Sequence, residues 1–321
     1  MDTAAFRSDL ELIPRALDAL ADALDAGLAG LEGLPALRAG RVLVLGMGSS
    51  RYATEVVARR HREVGAAVAV EWASAEQLPP PAADLVVVAV SATGGSVEVL
   101  HAIERYRGMG RLVAVTNRPE SELGRRSDVV VPLLAGTEAS GVACRTFRAT
   151  FAVLDAVLEA LVGRAPAQRF DATILRRAAA ANARLLEDSR SWLDAATALV
   201  GGPDGAWMLA PVERLSSAQQ SALMVREVPR RTAFASESGD WSHVDVYLTK
   251  TTDYRAVVFA GSRWDEQALE WMGSRGSRYA AVGAPLPGAE LHIPFDDHAD
   301  GRVALLTEPL VGELVADRLL A

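Results

Sequence analysis

The spacing of apolar residues divides this chain into a helical start and two strand-rich series. Over residues 1–38, Leu10, Leu12, Ile13, Leu17, Leu20, Leu24 and Leu28 recur at helical spacing with Asp and Arg between them. That pattern predicts an amino-terminal helical arm of one or two amphipathic helices. From residue 41 it gives way to short continuous apolar runs, RVLVLG, AAVAVEWA, LVVVAVS, LVAVTN and VVVPLL, separated by stretches such as 51–64 and 96–107 that read as helices. Uninterrupted apolar strands alternating with helices predict an α/β unit whose mainly parallel sheet is covered on both faces. Residues 142–163 read as the helix that closes it.

A helical stretch follows, and then a second series: AWMLAP, a helix from about Ser216, TAFAS, RAVVFAG, RYAAVG, LHIPF and a terminal helix through LLTEPLVGELVADRLL. LVVVAVSATGG aligns with RAVVFAGSRWD, LVAVTNRP with RYAAVGAP, and DVVVP with ELHIP, which predicts an internal duplication of one unit. The expected organisation is an arm at 1–38, a first lobe at 39–165, a helical linker at 166–200 and a second lobe at 201–321. Within the second lobe, VYLTK reads as strand-like, leaving Lys250 at its end in solvent.

Composition narrows the chemistry. The net charge of -8, without any basic tract, argues against nucleic acid or an anionic membrane as partner. An anion must therefore be bound locally. The single cysteine, Cys144, rules out an intramolecular disulfide and fits a cytoplasmic setting. No apolar run reaches the roughly 20 residues of a membrane span. Lys250 is the only lysine, so Schiff-base chemistry would have that one residue to use. His61, His101, His292 and His298 show no metal-ligand spacing, and they read as surface or structural residues.

Two strand-end loops carry the candidate binding chemistry: Gly46-Met47-Gly48-Ser49-Ser50 and Ser91-Ala92-Thr93-Gly94-Gly95-Ser96. Each follows an apolar run and leads into a helix. Small hydroxyl residues and exposed amides thus gather at the carboxyl edge of a parallel sheet, where a phosphate can be held without a basic pocket. Either loop alone is accounted for by helix capping; two on nearby strands point to a phosphorylated ligand. Arg51 stands where a dinucleotide fingerprint requires its third glycine, which disfavours a nicotinamide enzyme.

These loops resemble those of the sugar isomerase (SIS) family, most closely the double-SIS isomerase half of the glucosamine-6-phosphate synthases. Gly48-Ser49-Ser50 is similar to the family's Gly-Thr-Ser, and Ser91-Ala92-Thr93-Gly94-Gly95-Ser96 to its Ser-Gln-Ser-Gly-Glu-Thr. Gly136-Thr137-Glu138-Ala139-Ser140-Gly141-Val142-Ala143-Cys144 resembles Gly-Thr-Glu-x-Gly-Val-Ala-Ser with one residue inserted. Met224-Val225-Arg226-Glu227, with His243 sixteen residues later, resembles the Lys-x-x-Glu and His of the second lobe.

The resemblance implies that Gly48, Ser49, Ser50, Ser91, Thr93 and Ser96 hold the phosphate and hydroxyls of a small-molecule sugar phosphate, with the Val142 and Cys144 backbone touching the sugar. It implies that Glu227 shuttles a proton between C1 and C2, and that His243 assists ring opening, from its own or a neighbouring subunit of a homodimer. No metal or cofactor is expected. Three departures stand out: Met224 replaces a lysine, Ala92 replaces a glutamine, and neither a glutaminase domain nor the lysine-bearing carboxyl tail is seen. The expected activity is aldose–ketose isomerisation with deamination of an amino-hexose phosphate such as glucosamine 6-phosphate. The alternatives are a noncatalytic phosphosugar sensor and a deglycase for sugar-phosphate–amino-acid adducts.

Overall fold

A computed structural model describes residues 3–320; the first two residues of the expected amino-terminal arm lie outside the described residues. The arm comprises helices Thr3–Glu11 and Ile13–Ala26 and a short 3-10 turn, Leu34–Leu37.

The first lobe holds five strands: β1 (Arg41–Gly46), β2 (Val68–Trp72), β3 (Leu85–Ser91), β4 (Leu112–Thr116) and β5 (Val129–Pro132). The second holds β6 (Ala206–Ala210), β7 (Ala233–Glu237), β8 (Arg255–Phe259), β9 (Arg278–Val282) and β10 (Leu291–Ile293). Sheet order is β2-β1-β3-β4-β5 in one and β7-β6-β8-β9-β10 in the other, and every pairing is parallel. The second and first strands of each series exchange places in the same way. The predicted duplication is therefore a duplication of topology, and the strands aligned by sequence, β3 with β8, β4 with β9 and β5 with β10, are the topological equivalents.

Burial explains the continuous apolar runs. All seven residues of central β3 are buried, because helices cover both of its faces, whereas edge strand β2 keeps only Val68 fully buried. Leu43, Leu45, Val87, Ala89, Ile103, Tyr106 and Leu123 form a core on one face of the first sheet. In the second lobe, Trp207 stacks on Tyr254 at 4.3 Å and on Phe234 at 5.1 Å.

By contact density the chain divides into two compact units, residues 16–138 with 143–173, and residues 1–15, 139–142 and 174–321. In the first unit, helix Arg145–Val162 is anchored by a buried polar pair: His61 Nε2 lies 2.9 Å from Asp155 Oδ1, and Asp155 Oδ2 accepts the Phe170 amide. In the second, helix Ala172–Asp188 is tied by Arg177 to Asp297 and Asp300.

One local expectation is corrected. DVYLTK is a 3-10 helix, Asp245–Lys250, and not a strand. Its carbonyls are satisfied locally: Thr249 Oγ1 and the Arg275 guanidinium both donate to the Val246 oxygen, and the Thr252 hydroxyl to that of Leu248. Local partners of this kind compete with a sheet ladder.

Candidate functional site

The first lobe brings its loops to one sheet edge. Strand β1 ends at Gly46, and helix Gly48–Glu63 begins at once, with Gly48 at φ +49° and the Ser49 and Ser50 side chains in the first turn. A Cβ on Gly46 would lie 3.2 Å from the Arg51 nitrogen, a close approach that favours glycine in this turn.

The Ser91–Ser96 turn is organised by its carbonyls. The Ala92 oxygen accepts the Asn117 amide at 3.2 Å and the Thr116 hydroxyl at 3.4 Å, and the Gly94 oxygen accepts the Leu123 amide at 3.0 Å. With these negative ends of the peptide dipoles bonded inward, and the Gly94 and Gly95 amides bonded within the turn, its hydroxyls are the donors left for a ligand. Ser91 Oγ accepts the Gly94 amide at 3.1 Å, and Thr93 Oγ1 accepts that of Gly95 at 3.3 Å, so each hydroxyl proton remains to be donated outward. Ser96 caps helix Val97–Glu104 without spending its hydroxyl on it. Gly94, at φ +62°, is enforced by packing as well, since a Cβ there would lie 1.9 Å from Ser121 Oγ.

The third loop is built differently. Glu138 Oε1 accepts the amides of Cys144 (2.7 Å), Arg145 (2.6 Å) and Thr146 (3.1 Å), and Oε2 accepts the Thr146 hydroxyl (2.7 Å). The carboxylate thus caps helix Arg145–Val162, while burial pushes its pKa up against the pull of those donors. The Cys144 amide is committed to this cap, its carbonyl accepts from Arg148, and its thiol is buried. The Val142 amide goes to Ser140 Oγ. Buried Asp9 holds the neighbouring residues, accepting the Ala139 and Ser140 amides and the Ser140 hydroxyl. Neither Glu138 nor Asp9 was among the expected functional residues; a glutamate seven positions before a helix start was the available signal for the first.

The second lobe fills its equivalent turn from within. After β8, Asp265 Oδ2 accepts the amides of Gly261 (2.7 Å) and Ser262 (2.9 Å). Burial raises the Asp265 pKa. Arg214, buried where the second lobe has its counterpart of the Ser49–Ser50 turn, pairs with Glu308 and donates to the Ala260 oxygen at 2.6 Å. Burial lowers its pKa to about 10.

Glu227 is the last residue of helix Leu215–Glu227, which stops before Pro229. The side chain reaches solvent, yet desolvation raises its pKa, and among the described residues it has no hydrogen-bond or ion-pair partner. His243 is exposed and follows the short helix Ser238–Trp241 beyond the end of β7. The helix before β7 ends at Glu227, so the two residues flank opposite ends of a strand roughly 16 Å long. The fold does not bring them together within one lobe. Among the described residues, no group of three His, Cys, Asp or Glu is placed to hold a metal, and no helix is long and apolar enough to cross a membrane.

The SIS domain family model matches residues 37–160, the first lobe with its loops. That stretch is an SIS domain. It is 30% identical to the glutamine–fructose-6-phosphate aminotransferase (isomerizing) of Aeropyrum pernix, over 95% of this chain and 50% of that protein, so it spans about half the length of that relative. Among solved structures, the C-terminal domain of glucosamine-fructose-6-phosphate aminotransferase from Francisella tularensis matches with a TM-score of 0.79 at 14% identity, covering 98% of this chain and 96% of that one. Glucosamine-6-phosphate deaminase from Thermotoga maritima matches with a TM-score of 0.68 at 16% identity, covering 98% and 94%. At such identities, the structural matches establish a shared fold.

Proposed function

We propose that the chain is a phosphosugar isomerase acting on a hexose phosphate that bears an amine, with loss of that amine after isomerisation. The observation that carries this reading is the Ser91–Ser96 turn, whose carbonyls are bonded inward while three hydroxyls remain to donate. Ser49, Ser50, Ser91, Thr93 and Ser96 hold the phosphate and sugar hydroxyls. Glu227 removes the proton from one of C1 and C2 and returns it to the other through an enediol or enamine. An unpartnered carboxylate with a raised pKa suits both halves of that exchange near neutral pH. Water then adds to the resulting imine, and the nitrogen leaves with a proton. Glucosamine 6-phosphate is the simplest such substrate, and the names of the Thermotoga deaminase and the Aeropyrum aminotransferase support the class.

His243 opens the sugar ring. Its separation from Glu227 along β7 supports action on the site of a second copy in a homodimer. Mixing Glu227→Gln with His243→Ala should then restore activity that neither variant has alone.

Incubation with glucosamine 6-phosphate should release ammonia and fructose 6-phosphate in equal amounts. Ligand-induced thermal stabilisation without turnover of any amino- or keto-hexose phosphate would establish a binding protein instead.

A further inference from the structure

Helix Ser238–Trp241 has four residues, too few to hold its shape alone, and His243 follows two residues past its end. Its neighbours hold it. Glu237 Oε2 accepts the amides of Gly239 (2.9 Å) and Asp240 (2.8 Å), and the Asp240 oxygen accepts those of His243 (2.8 Å) and Val244 (3.1 Å). Buried Trp241 donates its indole N–H to the Tyr254 hydroxyl at 2.6 Å. At Gly239 the helix meets Trp264: a Cβ there would lie 2.9 Å from the indole Cδ1 and 3.2 Å from Nε1, so the ring lies this close only because residue 239 has no side chain.

Trp264 is not a core residue. It keeps 44% of its surface exposed, with the Arg263 guanidinium 4.9 Å from the ring centroid, so folding gains less from it than from buried Trp207 or Trp241. Its backbone is nonetheless fixed. The Trp264 amide donates to Ser262 Oγ at 3.1 Å, and the amides of Gly261 and Ser262 donate to Asp265 Oδ2 at 2.7 and 2.9 Å. The turn after β8 is thus held by its own carboxylate and ends in an indole set against the helix that precedes His243. A ligand in that turn would come and go, whereas a carboxylate of the chain is always in place.

We propose that the filled turn of the second lobe braces the helix before His243, with Asp265 and Trp264 as positioning residues that fix the imidazole by way of Gly239 and Asp240. The inference rests on the ring-opening role of His243. The contacts are contiguous, from Asp265 through Ser262, Trp264, Gly239 and Asp240 to His243, and each link is a hydrogen bond, a close packing contact or the chain itself.

Two measurements on the full chain test this. Amide hydrogen exchange reads the brace without any assay of activity: Trp264→Ala should speed exchange of the His243 and Val244 amides about tenfold, Asp265→Ala by a similar factor, and Trp264→Phe much less. A double-mutant cycle reads its use. Trp264→Ala should lower kcat for ammonia release from glucosamine 6-phosphate about tenfold with KM held within about twofold, and should change kcat by less than about twofold once His243 is replaced by alanine. The cycle is measurable because sugar rings also open unaided in water, which leaves His243→Ala about a hundredth of the wild-type turnover. General structural damage would lower both backgrounds alike. Unchanged exchange at His243 overturns the brace. Faster exchange with kcat unchanged, or lowered equally in both backgrounds, overturns the positioning role and leaves the proposed reaction standing. Full activity of His243→Ala overturns the ring-opening role and the proposal with it, and absence of wild-type turnover overturns the proposed reaction and the positioning role together.

Discussion

The two lobes share one strand order and treat the same turn in opposite ways. After β3, the turn leaves the hydroxyls of Ser91, Thr93 and Ser96 with protons to donate. After β8, the carboxylate of Asp265 sits on the amides of Gly261 and Ser262, and the buried Arg214–Glu308 pair fills the neighbouring turn. An internal anion thus sits at the second lobe's equivalent of the turn proposed to bind phosphate in the first. Duplication preserved the scaffold, because strand order depends on apolar runs that tolerate substitution. The turns depend on a few polar side chains, and there the lobes diverged.

That contrast can be broken experimentally. The largest effect should come from the second lobe's chemistry: Glu227→Gln should lower turnover of an amine-bearing hexose phosphate by about 10²–10⁴-fold, measured as ammonia release, because it removes a general base. Its stability should move the other way. A raised folded-state pKa means that Glu227 contributes stability below its unfolded pKa and that this is lost as pH rises through the folded value. Glu227→Gln should therefore melt higher than wild type at about pH 7 and together with it below about pH 4.

Converting the first lobe into the likeness of the second comes next. Ser91→Asp places a carboxylate in the turn, and like-charge repulsion should weaken sugar-phosphate binding about a hundredfold, read as lost thermal stabilisation by ligand relative to the variant's own ligand-free melting temperature. Arg214→Met leaves Glu308 buried without its partner and should cost about 3–5 kcal/mol in chemical denaturation; adding Glu308→Gln should recover part of it. Emptying the second lobe's turn is the smallest change and the sharpest. Asp265→Ala should destabilise by about 1–3 kcal/mol through two unsatisfied amides, and inorganic phosphate should raise its melting temperature more than that of the wild type. An equal response of both would show that the second turn is not a filled anion site.

Much of this was legible in the residue pattern. The runs from RVLVLG to VVVPLL and their counterparts after residue 200 marked ten parallel strands, because a strand buried on both faces must be apolar at every position. The serine and glycine turns were visible for the same local reason, since tight strand-to-helix turns restrict residue type. The strand-like VYLTK misled, as alternation cannot register Arg275, 26 to 29 residues away, which ties down the Thr249 hydroxyl and the Val246 carbonyl in a 3-10 helix.

Residue order alone carries the duplicated α/β architecture and the turns where donors gather, since both follow from periodicity and local backbone requirements. Which donors remain for a ligand is settled in three dimensions. Whether an amide, imidazole or guanidinium is already satisfied depends on residues far away in the chain: Asp9 on Ser140, Asp155 on His61 and Glu308 on Arg214. Hydrogen bonds and ion pairs act over a few ångströms of space, and sequence separation carries no record of that distance.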